Sequence, residues 1–84
     1  SRWLTFQEIP KTERKTRLFR IYNTESGILL GEIKWFGTFR SYAFFPATDC
    51  VFETTCMTDI TEFILLLMQQ WREAQNKKET NRIL

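Results

Sequence analysis

A chain of 84 residues is one domain, too short to bury more than about 60–65% of its unfolded surface. Eight Phe, three Trp and two Tyr supply the dense apolar content that so small a core needs. The net charge of +2 is too modest to imply a nucleic-acid partner by itself, and no His with only two Cys rules out a thiolate-rich zinc site within one chain.

The predicted elements begin with a short strand over Leu4 to Ile9, stopped by Pro10. Lys11 to Lys15 is polar and reads as loop. Arg17 to Asn23 alternates, with Phe19 and Ile21 on one face and Leu18, Arg20 and Tyr22 on the other. Asn23-Thr24-Glu25-Ser26-Gly27 is turn chemistry, and Ile28 to Phe36 completes a hairpin. Gly37-Thr38-Phe39-Arg40 reverses the chain into a strand over Ser41 to Phe45, and Cys50 to Phe52 is expected to add a short edge strand. Short connections make these strands antiparallel neighbours.

From about Thr55 the apolar period becomes helical. Cys56, Met57, Ile60, Phe63, Ile64, Leu67, Trp71 and Ala74 share one face. Thr54 or Thr55 is placed to cap the start, while Asp59 and Glu62 lie early and Lys77 and Lys78 late, as the helix dipole favours. The fold class expected is therefore α+β: an antiparallel meander of three to four strands packed against one C-terminal amphipathic helix. The domain is expected to span residues 1–84, with its core over about 4–76 and a frayed tail over 77–84. Leu65 and Leu66 point away from the core stripe, either as plain surface leucines or as a patch for a partner or a second copy.

Without His the usual general base near neutral pH is missing, and Gly31 and Gly37 belong to no phosphate-binding loop. Asp59 and Glu62 read as an exposed capping pair. No catalytic residue, metal ligand or cofactor is expected. Cys50 and Cys56 read as reduced, partly buried thiols of a cytoplasmic protein. The longest apolar run, Phe63 to Met68, is too short to span a bilayer, so no membrane partner is expected.

Two features carry binding chemistry. Lys11, Arg14, Lys15, Arg17 and Arg20 crowd one loop and the strand that follows, where they can contact phosphates or simply solvate an edge. Residues 31–45 hold six aromatics and the cations Lys34 and Arg40, and Trp35 with Tyr42 and Phe44 could form a platform for single-stranded bases or a packed sheet face. This segment resembles the opening motif of cold-shock domains, G-x-V-K-W-F-N-x-x-K-G-F-G-F-I. Gly31, Lys34, Trp35, Phe36 and Phe44 match, and Ile33, Arg40 and Tyr42 are conservative changes. The resemblance implies that Lys34, Trp35, Tyr42 and Phe44 face single-stranded nucleic acid. Ser41 and Ala43 replace two glycines of that motif, and the family's F-V-H segment has no counterpart.

A second resemblance covers roughly residues 18–68. Leu30-Gly31-x-Ile33-x-Trp35, then Arg40-x-Tyr42-x-Phe44-x-Pro46, then a helix with Cys56, Ile60 and Phe63, is similar to small uncharacterised proteins of bacteria, phages and mobile elements. It implies a compact sheet-plus-helix domain and no particular activity. Two functions stay open: a non-catalytic module that contacts nucleic acid through the basic loop, Lys34, Trp35, Arg40 and Tyr42, and a protein-binding adaptor or inhibitor of phage or mobile-element type using the Leu65/Leu66 flank or a strand edge.

Overall fold

The computed structural model describes the backbone of residues 3–83 and the side chains of residues 3–76. Four strands, β1 (Leu4–Ile9), β2 (Leu18–Asn23), β3 (Leu29–Phe36) and β4 (Ser41–Pro46), form one antiparallel sheet in the order β1-β2-β3-β4, followed by a helix, α1 (Thr54–Ile83). The protein is an α+β fold. Each connection joins sheet neighbours, so the meander needs no crossover.

The turns follow from local chemistry. Asn23 Oδ1 accepts hydrogen bonds from the backbone N–H groups of Glu25 (2.9 Å) and Ser26 (2.8 Å), and Gly27 supplies φ +76° to close the hairpin. Beyond it Ile21 pairs with Gly31 but Tyr22 with Leu29, a bulge at Leu30. The β3–β4 turn is held by Phe39 N–H to Phe36 O and Arg40 N–H to Gly37 O, both 3.1 Å, and places Arg40 at φ +52°.

Strand alternation sorts the side chains onto two faces. On the inner face Leu4, Phe19, Ile21, Ile33 and Tyr42 are buried against Ile60 and Leu67 of α1. Phe63 stacks on Phe6 at 4.5 Å and meets Phe19 edge-on at 4.8 Å. The Tyr42 N–H of β4 points at the Met68 sulfur, 3.4 Å away. The core stripe therefore includes Met68, which the apolar spacing did not pick out, whereas Met57 and Ala74 are exposed.

Two further expectations are corrected. Cys50 to Phe52 adds no edge strand. Asp49 takes φ +61° and turns the chain off the sheet, and Phe52 folds back edge-on against Phe44, 5.1 Å between centroids. The helix is capped by Glu53 and not by a threonine: its carboxylate accepts the Cys56 N–H at 2.7 Å, and its carbonyl accepts the Met57 N–H at 3.0 Å. The Thr55 and Cys56 backbone donors hold the Glu53 carboxyl below the usual range.

A helix of 30 residues is about 45 Å long, whereas strands of six to eight residues reach only about 20–27 Å. Helix α1 therefore overhangs the sheet, and the longest extent of the molecule is 51 Å. The side chains beyond Asn76 lie outside the described residues; the backbone over 77–83, expected as a frayed tail, continues α1 to Ile83. No described helix is long and apolar enough to cross a membrane.

Candidate nucleic-acid interface

Chain direction decides which loops meet. Strands β1 and β3 end, and β2 and β4 begin, at the same end of the sheet, so the β1–β2 loop and the β3–β4 turn lie side by side there. That end carries Lys11, Arg14, Lys15, Arg17, Lys34 and Arg40 against Glu8 and Glu13. The opposite end, formed by the β2–β3 turn and the link into α1, carries Glu25, Asp49 and Glu53. A net charge of +2 thus conceals a sheet that is basic at one end and acidic at the other.

The predicted cations do not form one cluster. Lys11 and Lys15 are exposed, and with Arg17 and Tyr42 they line a cleft against α1. Arg14 acts as a clasp: its guanidinium donates to the carbonyls of Ile9 (2.6 Å) and Pro10 (3.0 Å), holding the loop closed. Arg17 grips Glu8 through two contacts, Nε to Oε2 at 2.8 Å and Nη2 to Oε1 at 2.9 Å, and reaches Gln70 Oε1 at 2.9 Å. That hydrogen-bonded pairing holds the Glu8 carboxyl below, and the Arg17 guanidinium above, their ordinary values. Arg20 and Lys34 lie on the outer face and share Glu32, at 3.3 and 3.9 Å.

Of the two readings open for Trp35, Tyr42 and Phe44, the structure shows the packed sheet face. Trp35 and Tyr42 pair across β3 and β4 on the inner face, under α1. Tyr42 is 7% exposed and its hydroxyl accepts the Arg17 N–H at 3.2 Å. Trp35 is wedged between Tyr42 (5.4 Å, edge-on) and Trp71 (5.3 Å). Phe44 is on the same covered face. Neither Tyr42 nor Phe44 is open to stack on a ligand at the sheet surface, which corrects the platform reading of these residues.

The outer face has no helix over it. There Phe36, Phe39 and Phe45 form an edge-on aromatic chain, 4.9 Å from Phe36 to Phe39 and 5.7 Å from Phe36 to Phe45. Lys34 Nζ lies 4.6 Å from the centre of the Phe45 ring, and Phe39 is 71% exposed at the tip of the turn beside Arg40. Sequence reasoning named Lys34 and Arg40 but missed these three rings. The signal was present: Phe45 and Lys34 sit one residue out of phase with Phe44 and Trp35, and alternation sends them to the opposite face.

Leu65 and Leu66 are 59% and 50% exposed. Consecutive helix residues are about 100° apart, so the two leucines occupy separate flanks. Leu66 adjoins Phe6, Phe63, Asp59 and Glu62. Cys50 and Cys56 are free and half-buried, and burial followed by the nearby Glu53 carboxylate pushes the Cys56 thiol up, away from a reactive thiolate.

No known protein-family pattern matches the chain, and no solved structure matches it. The chain is similar to a protein of Acholeplasma phage L2 described as an uncharacterized 9.3 kDa protein, at 28% identity over 71 residues, which cover 84% of this chain and 91% of the phage protein.

Proposed function

We propose that this chain is a non-catalytic module of phage or mobile-element type that binds single-stranded nucleic acid at the basic end of its sheet. One observation carries the reading: the exposed Phe39, the half-buried Phe36 and Phe45 and the cations of two loops lie toward the same end of the sheet, where the cations outnumber Glu8 and Glu13. Phe39, Phe36 and Phe45 offer faces and edges to bases. Lys34 and Arg40 beside them, and Lys11 and Lys15 across the end, neutralise phosphates. The likeness to a phage protein supports the biological setting and names no ligand.

Fluorescence anisotropy of labelled single-stranded oligonucleotides tests the reading. Phe39→Ala removes a ring with no core contact and is expected to weaken binding by about 1–3 kcal/mol while circular dichroism is unchanged. Equal binding by Phe39→Ala and the parent chain would overturn the platform.

A second reading, a protein-binding adaptor or inhibitor, is favoured by the exposed apolar residues of α1. Met57 lines a shallow groove of about 380 Å³ with Phe44, Pro46, Phe52 and Ile64, and Leu65 is exposed elsewhere on the helix. Pull-down with and without Leu65→Glu separates the two readings.

A further inference from the structure

We propose that the cleft between the β1–β2 loop and α1 is a binding pocket for a single nucleoside monophosphate unit, base and phosphate together. The choice of ligand rests on the nucleic-acid reading above; the pocket lies on the helix side of the sheet and shares only Lys11 and Lys15 with the surface proposed there. It measures about 440 Å³, within the range of small-ligand sites. Its apolar lining is Tyr42, Leu67, Trp71 and Ala74. One neighbour of Trp71 is Trp35, and the indole also borders the open cleft. An indole so placed is a stacking surface for a base.

The polar lining is Lys11, Lys15, Thr16, Arg17, Gln70 and Gln75, a set rich in donors. None of the lining residues is acidic, and Lys11 and Lys15 have no carboxylate within salt-bridge distance among the described residues. The one cation there that is already neutralised is Arg17, held by Glu8. The Tyr42 hydroxyl accepts from the Arg17 backbone, so its own proton remains to be donated. Gln70 gives its carbonyl oxygen to Arg17, which fixes the side chain and leaves its amide N–H groups for an acceptor. Two ammonium groups without a carboxylate partner among the described residues, donor side chains and an indole floor, with Glu8 at the border neutralised by Arg17, suit a planar base joined to a phosphate. A cation would find no carboxylate in the lining.

Arg14 spends its guanidinium on the Ile9 and Pro10 carbonyls, which fixes the loop that presents Lys11 and Lys15 to the cleft. Such preorganisation lowers the ordering cost of binding.

Tryptophan fluorescence and calorimetry with AMP, adenosine, inorganic phosphate and an oligoglutamate peptide test this directly. AMP is expected to quench tryptophan emission and to bind at least about tenfold more tightly than adenosine or phosphate alone, because only AMP engages both the floor and the lysines. Lys11→Ala with Lys15→Ala, two exposed loop changes, is expected to lose about tenfold or more in AMP affinity with no change in unfolding midpoint. Oligonucleotides with and without a 5′-phosphate separate a strand end from a free nucleotide as the source. A tighter 5′-phosphorylated strand assigns the pocket to the end, and AMP binding with no such preference assigns it to free nucleotide. Failure of AMP to bind at low salt, AMP binding untouched by the double substitution, or preferential binding of the acidic peptide would overturn the proposal. If strands lacking the phosphate still bind and respond to Phe39→Ala, the outer-face reading survives that failure. AMP binding without any strand binding would do the reverse.

Discussion

Gly31 sits where β3 passes closest to its neighbour. A Cβ built there would lie 2.6 Å from both the Phe44 ring and the Phe45 carbonyl oxygen, and the carbonyl is backbone that cannot swing aside. Gly31→Ala is therefore expected to destabilise by about 1–3 kcal/mol, as overpacking does, read as a lower urea midpoint. Leu67, 4% exposed at the centre of the helix–sheet contact, is expected to cost about 2–5 kcal/mol on truncation to Ala in the same measurement. Glu53 and Glu8 give the acid limb of stability its sign. Both carboxyls are held below their ordinary values in the folded chain, Glu53 by backbone donors and Glu8 by Arg17. Their contribution is fully present above the ordinary carboxylate range and disappears as pH falls through the folded values. Glu53→Gln is expected to flatten the loss of stability on acidification, followed by thermal melts between neutral and acidic pH. An unchanged acid limb would show that the cap does not depend on charge.

At the scale of elements, the strand and helix periods were legible because each stretch has one dominant partner. Phe19 and Ile21 alternate against α1, and Ile60, Phe63, Ile64 and Leu67 face the sheet in return. The misreadings have one cause: a local pattern does not say which face of a sheet its helix will cover. Trp35, Tyr42 and Phe44 share one face by alternation, and α1 lies on that face while Phe36 and Phe45 stay half-buried on the other. Cys50 to Phe52 looked extended, but only a residue with positive φ at Asp49 takes the chain off the sheet, and that choice is made by the geometry of the link. The β3–β4 turn provides a test that separates charge from structure. Arg40 sits at φ +52°, where glycine is at ease. Arg40→Gly is expected to keep or raise thermal stability and to weaken single-strand binding. A loss of stability would mean that the Arg40 side chain holds the turn.

Over the whole molecule, the sequence total of +2 hides the feature that matters most for the proposed ligand, the gathering of cations at one end of the sheet. Sheet topology creates it, because an antiparallel meander brings alternate connections to the same end, and neither the basic loop nor the aromatic turn reveals the other in a linear reading. Four of these cations, Lys11, Lys15, Lys34 and Arg40, are exposed; Lys34 pairs with Glu32 and lies over Phe45, while Arg14 is committed to backbone carbonyls. The most direct test of the account is the salt dependence of single-strand affinity by fluorescence anisotropy. If all four meet phosphate, the log–log slope is about 3 in magnitude, at roughly 0.7 per contact, and Lys34→Ala with Arg40→Gly lowers it by about 1.4 without altering base preference. Absence of binding at low salt, or a slope indifferent to the loss of those two cations, would contradict it.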